Sequence, residues 1–166
     1  MQTNDILTLY DYNYWATERL LRAAARLTQE QFLADGPMSF GGVRSTLAHT
    51  LGAEWIWRKR CQEGVSPTAI PAPTEYPDFA TLQQRWLEEQ SAMLAYVATL
   101  DDETLSKPLA YRGTNGDPFS VTLWQILAHV VNHGTQHRSE AAALLTNLGH
   151  SPGDIDMILF FRERKP

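Results

Sequence analysis

LWQILAHVVNHGTQHRSEAAALL, residues 123–145, decides the reading of this chain. The stretch has no proline, its apolar residues recur at three- and four-residue steps, and His129, His133 and His137 stand four apart. On a helix, side chains at i and i+4 lie one above the other, so two of these rings can grip one ion. At 100° per residue with His133 at zero, His137 lies at about +40°, Ile126 and Leu144 at about +20°, and Val130 at about +60°. His133 and His137 therefore point into the apolar face. His129, at about −40°, falls with Gln136 and Glu140 at the border of the solvated side, a supporting or surface position.

A third ligand comes from VRSTLAHTLGAEWIWRKRCQ, residues 43–62, a proline-free helical pattern with basic residues in its last turns. His49 shares a face there with Thr46, Gly52, Ala53 and Ile56, and so is expected to point inward. Buried imidazoles need hydrogen bonds or a ligand, and one divalent ion shared by His49, His133 and His137 satisfies all three. Neutral imidazole suits zinc, nickel, copper and iron, and three protein nitrogens leave a coordination position open.

Cys61 is the sole cysteine, which excludes an intramolecular disulfide and a thiolate-rich zinc site. Its neighbours Arg58, Lys59 and Arg60 favour a lowered pKa, but a lone cysteine near a helix end is read as a small filler. Glu54, about 140° from His49 on the helix, is expected at the surface or an interface rather than as a fourth ligand. Glu140 lies near the metal face and is a candidate base, although no catalytic residue can be assigned from the chain. Trp15, Trp57, Trp86 and Trp124 are read as packing residues able to line a pocket, with Asn13, Tyr14 and Arg60 as further pocket candidates.

Toward the N-terminus, Ile6, Leu9, Tyr10, Asn13, Ala16, Leu20, Ala23, Ala24 and Leu27 form the stripe of a first helix. Thr28 and Gln31 have capping-box spacing and start a short turn before the Gly36-Pro37 break. After helix two, GVSPTAIPAPTEYP (64–77) cannot be helical and reads as a long crossover. Asp78 caps a third helix bearing Phe79, Leu82, Trp86, Met93, Val97 and Leu100, ended by Asp101-Asp102 and Pro108. PLAYRGTNGDPFSVT (108–122) carries a hairpin signal, Ser120 caps a fourth helix from Val121 to Leu148, and DIDMILFFRERK (154–165) forms a short C-terminal helix beyond Gly149. The expectation is one all-α domain over 1–166: a four-helix bundle with a long crossover loop and a small hairpin before the last long helix.

The 166 residues carry 20% charged and 43% hydrophobic side chains and a net charge of −5, an ordinary globular balance whose field repels polyanions. Nucleic acid and anionic membrane are thereby disfavoured as partners. MQTNDILTLYDYNYW lacks the basic and apolar regions of a signal peptide and no stretch is long enough to span a bilayer, so a soluble, cytoplasmic protein is expected.

Four strings, YNYWATERLL (12–21), STLAHTLGAEWIW (45–57), residues 123–145 and LGHSPGDIDMI (148–158), together make the chain resemble the DinB/YfiT-like metal-binding four-helix bundles. The resemblance implies one metal-binding histidine in the second helix and two in the last, which fall on His49, His133 and His137. It also implies a spread of activities that includes thiol-dependent transferases and isomerases beside members with no assigned reaction. Thiol transfer onto a small molecule, with a low-molecular-weight thiol as partner, is the preferred reading, and zinc or nickel the expected metal. Metal-dependent hydrolysis and a non-catalytic structural or sensory metal are the alternatives. The family's name reflects a stress response, induction by DNA damage, which concerns expression rather than duplex binding. Leu47, Leu51 and Trp55, on the side of helix two away from His49, together with the habit of relatives, point to a homodimer.

Overall fold

The computed structural model describes residues 1–164. In chain order the helices are α1 (Thr3–Ala24), α2 (Gln29–Leu33), α3 (Val43–Glu63), α4 (Phe79–Val97), α5 (Asp102–Ser106), α6 (Leu123–Asn147) and α7 (Met157–Glu163). Strands β1 (Pro108–Arg112) and β2 (Pro118–Thr122) pair antiparallel between α5 and α6, with Ala110 opposite Ser120. The architecture is all-α, as the periodicity predicts, and the hairpin is its only sheet among the described residues.

Local chemistry sets the helix ends. Thr28 and Gln31 form a reciprocal capping box at α2, and the Asp78 carboxylate accepts from the Thr81 N–H at the start of α4. Gly64 ends α3 in the left-handed region, at φ +66°, where a side chain is strained. Two boundaries differ from expectation. α1 stops at Ala24, leaving Leu27 in the following turn, and α6 starts at Leu123 because Ser120 and Val121 complete the β2 ladder instead of capping a helix. Asp101, expected only to end the third helix, also caps the extra turn α5 through the Thr104 N–H. Lys165, last in the C-terminal stretch, lies outside the described residues.

The four long helices close a ring in which α6 packs on α1 and α3, and α4 packs on α3 and α1. α1 and α3 thus stand at opposite corners, joined through the segment that holds α2, and α4 and α6 at the other two, joined through α5 and the hairpin. The long proline-rich link joins the neighbours α3 and α4. One half of the core gathers Ile6, Tyr10, Met93, Val97, Leu127 and Val131; the other gathers Leu20, Leu47, Leu51, Leu82, Trp86 and Leu145. Each fully buried leucine contributes about 1.5–3 kcal/mol of transfer free energy. Leu47 and Leu51 are therefore covered inside one chain, by α1, α2 and α4, and need no second copy to bury them.

The centre of the ring holds polar groups that local pattern does not reveal. Glu54, expected at the surface, is only 6% exposed, because Tyr14 Oη donates to its Oε1 at 2.6 Å and Asn13 Nδ2 to its Oε2 at 3.2 Å. Asn13 and Tyr14 are thereby core residues rather than pocket residues. The Arg138 guanidinium donates to Asn13 Oδ1 and, at 2.9 Å, to Thr135 Oγ1, so a buried cation faces the buried carboxyl through one amide. Burial raises the Glu54 pKa to about 7, against the opposing pull of its hydrogen bond from Tyr14. Gly134 makes room for this chain of contacts: a Cβ there would stand 2.7 Å from Arg138 Nη1 and 3.0 Å from Asn13 Oδ1. A second buried pair, Arg58 forked onto Glu89 at 2.5 and 3.0 Å, ties α3 to α4.

Cys61 packs partly buried against the core, and burial pushes its thiol up to about 12. The basic run beside it does not activate it, since desolvation outweighs Arg60, and Arg58 is turned to Glu89. No described helix is long and apolar enough to cross a membrane.

Candidate metal centre

α3 and α6 lie side by side, and their facing surfaces bring His49 against His133 and His137. The Nε2 atoms of His49 and His133 are 3.2 Å apart, and the ring centres of His137 lie 4.8 Å from His49 and 4.4 Å from His133. One donor atom from each ring falls within 4.8 Å of the others, so the three could hold one metal ion. His137 is buried and the other two half-buried, in keeping with a cluster that opens on one side. His129 is exposed, one turn along α6, its ring edge-on to Trp57 at 5.6 Å and outside the group.

The electrostatics suit a cation better than a proton. Burial first, and then the charge on His137, pull the pKa of His49 and of His133 down to about 4. Both rings are neutral at pH 7, with a free nitrogen lone pair each.

Glu140, read as a candidate base, has a different occupation. Its Oε2 stands 2.7 Å from His137 Nδ1, and its Oε1 accepts from Ser39 Oγ at 2.7 Å. Those bonds, Ser39's above all, hold its carboxyl below the usual range, so it is an anion that only accepts. The His137 proton is thereby fixed on Nδ1 and the Nε2 lone pair is left for a ligand, the arrangement in which an outer carboxylate orients a metal-binding imidazole.

Ser39 and Phe40 belong to the loop between α2 and α3, which sequence reasoning left unassigned. Phe40, 41% exposed, stacks on His49 with ring centres 3.5 Å apart and meets His137 edge-on at 5.2 Å. The loop folds this tightly because of its glycines: Gly41 has φ +92°, and a Cβ on Gly42 would lie 1.9 Å from the Ala34 carbonyl oxygen. That glycine pair before a histidine-bearing helix was the available signal, but the Ser39–Glu140 bond spans 101 positions and has no local signature.

The proline-rich crossover returns to the same side. Phe40, Ser45, His49, Ile70, Pro71 and Pro73 bound a cavity of about 300 Å³, and Ile70 lies close on α3 because Gly52 has no side chain, a Cβ there meeting Ile70 at 2.9 Å. Of the tryptophans, Trp86 is core, and Trp15 and Trp124 pack partly buried against it. Trp57 packs likewise and also walls a second cleft with Tyr111 and His129.

The sequence model of the DinB family matches residues 1–165. Protein DinB of Bacillus subtilis (strain 168) is 24% identical over 160 residues, covering 92% of this chain and 92% of its own. With a ring of four long helices and three histidines converging between the second and the last of them, the chain belongs to the DinB family.

Proposed function

We propose that His49, His133 and His137 hold one divalent ion, zinc or nickel, and that the site works on a small molecule, as a thiol-dependent transferase. The observation that carries this reading is the convergence of three imidazole donors with no carboxylate or fourth histidine in the group. A divalent ion held by His49, His133 and His137 would supply Lewis acidity toward a thiol or water near neutral pH.

The chain's own residues prepare that site. Glu140 fixes the ring of His137, Ser39 fixes Glu140, and Phe40 screens the His49 side from water. The cavity under Ile70 and Pro71 gives a reacting molecule a mostly apolar seat beside His49. A purely structural ion would call for a fourth protein donor.

Purified protein is expected to retain about one first-row metal per chain by elemental analysis. His49→Ala and His137→Ala are expected to lose it, and His129→Ala to keep it. No retained metal, with no uptake of zinc or nickel by stripped protein, rejects the reading. Cobalt-substituted protein titrated with glutathione or cysteine is expected to develop a saturable thiolate charge-transfer band. If water exchanges but thiols give no band, hydrolysis replaces transfer.

A further inference from the structure

The link between α3 and α4 runs back along α3 before the next helix begins. α4 starts again near the beginning of α3: its Leu82 shares a half of the core with Leu47, and Glu89, further along, pairs with Arg58. On the way the link lays Ile70 onto α3 at Gly52, three residues from His49, where an added Cβ would stand 2.9 Å from Ile70 Cβ and 3.1 Å from its Cδ1.

This strap is stiff and tied at both ends. Pro67, Pro71, Pro73 and Pro77 fix φ at four positions and hold the residue before each extended, Ile70 among them. At one end Ser66 Oγ accepts from the Arg112 N–H of β1 at 3.1 Å. At the other, Glu75 Oε1 accepts from the Ala72 N–H at 2.8 Å, Tyr76 is buried in the core, and the Pro77 carbonyl accepts from Gln29 Nε2 at 2.6 Å.

Strap, α3 and Phe40 enclose the cavity of about 300 Å³ that touches His49. Ser45 and His49 are the polar side chains among its walls, Phe40, Ile70 and the prolines the apolar ones, and no described carboxylate, lysine or arginine lines it. A charged group placed there would give up water without gaining a counter-charge, whereas an apolar group loses nothing. An apolar cavity of about 150 Å³ holds a benzene ring, so a short alkyl or single-ring group is within reach of this one.

We propose that the acceptor at this site is an uncharged molecule bearing a short alkyl or aryl group, and that Ile70 sets the largest group admitted. A wall pinned by prolines and hydrogen bonds does not retreat for a longer chain, so side-chain volume at Ile70 fixes the limit. That the molecule reacts there rests on the proposed metal centre; its selection by size and charge does not.

The test titrates straight-chain 1-alkanols, ethanol to octanol, into zinc-loaded and into metal-stripped protein, following the Ala72 methyl by NMR. Affinity is expected to rise about threefold to fourfold per methylene and to stop rising at the length that fills the cavity. Ile70→Ala is expected to move that break to alcohols about two or three carbons longer, and the milder Ile70→Val by about one. In stripped protein hexanoate is expected to bind at least about tenfold more weakly than hexanol. No saturable shift with any alcohol overturns the proposal, as does a break unmoved in both Ile70 variants or hexanoate that binds as tightly as hexanol. Zinc content of the same samples separates the two readings. A break that moves with Ile70 in a chain that takes up no metal refutes the metal centre and sustains the selection, and zinc uptake without alcohol binding does the reverse.

Discussion

Removing the Glu140 carboxylate tests the logic of the metal centre more sharply than removing a ligand. Glu140→Ala deletes both 2.7 Å contacts, to His137 Nδ1 and to Ser39 Oγ, and leaves the three imidazoles in place. The His137 ring then loses the acceptor that fixes its proton on Nδ1 and its orientation toward His49 and His133. Outer carboxylates of this kind change metal affinity by about 10–100-fold, which is about 1.4–2.8 kcal/mol. Glu140→Gln keeps an oxygen acceptor for His137 but no charge, and is expected to fall nearer wild type. Ser39→Ala, which removes one of the two contacts, is expected to have the smallest effect. The assay is competition for zinc against a chromophoric chelator at fixed pH, with metal content at saturation as a control. Wild-type affinity in Glu140→Ala, or equal losses in the alanine and glutamine variants, would refute the orienting role.

Two further perturbations address the buried network. Gly134→Ala is expected to destabilise by about 1–3 kcal/mol in urea unfolding, since its Cβ meets Arg138 Nη1 at 2.7 Å; a gain of about 1 kcal/mol, the usual result in a helix, would show that the contact yields. Glu54 has its folded pKa raised from 4.5 to about 7, so the folded state holds the extra proton and this group's contribution is full below pH 4.5 and lost as pH rises to about 7. Glu54→Gln is expected to remove that decline, which denaturant midpoints across pH 4 to 8 would read as a flatter profile.

The helices and the face that gathers His133 and His137 were legible because both rest on period. The wheel that put His133 and His137 inward and His129 at the border needs only about 100° per residue, and α6 obeys it. Glu54 was misplaced by the same wheel. Its angle from His49 was right, but α3 stands between α4 and α6 and faces α1 across the ring, so it is buried on more than one side. A polar residue on such a helix is read from its partners, and Asn13 and Tyr14 lie 41 and 40 positions away. Ser39 and Phe40 escaped for a related reason: an irregular loop has no period, and its contacts are fixed by glycine conformation and by a helix far along the chain. The hairpin was visible from its turn, whereas the start of α6 was not, because Ser120 is as acceptable in a ladder as at a cap.

The ring order of the helices also dictates a sequence of assembly. α6 is the last of the four long helices in chain order and packs on both α1 and α3, at opposite corners. Until it docks, the sides of both that face it stay open to water, and His49 has no second imidazole beside it, His133 lying 84 positions downstream. An N-terminal piece ending before α6 is therefore an exposed, adhesive species rather than a smaller version of the fold. Any ligand of the three imidazoles stabilises only the assembled ring, so occupancy and folding titrate together, and uptake of a first ion would mark the docking of α6.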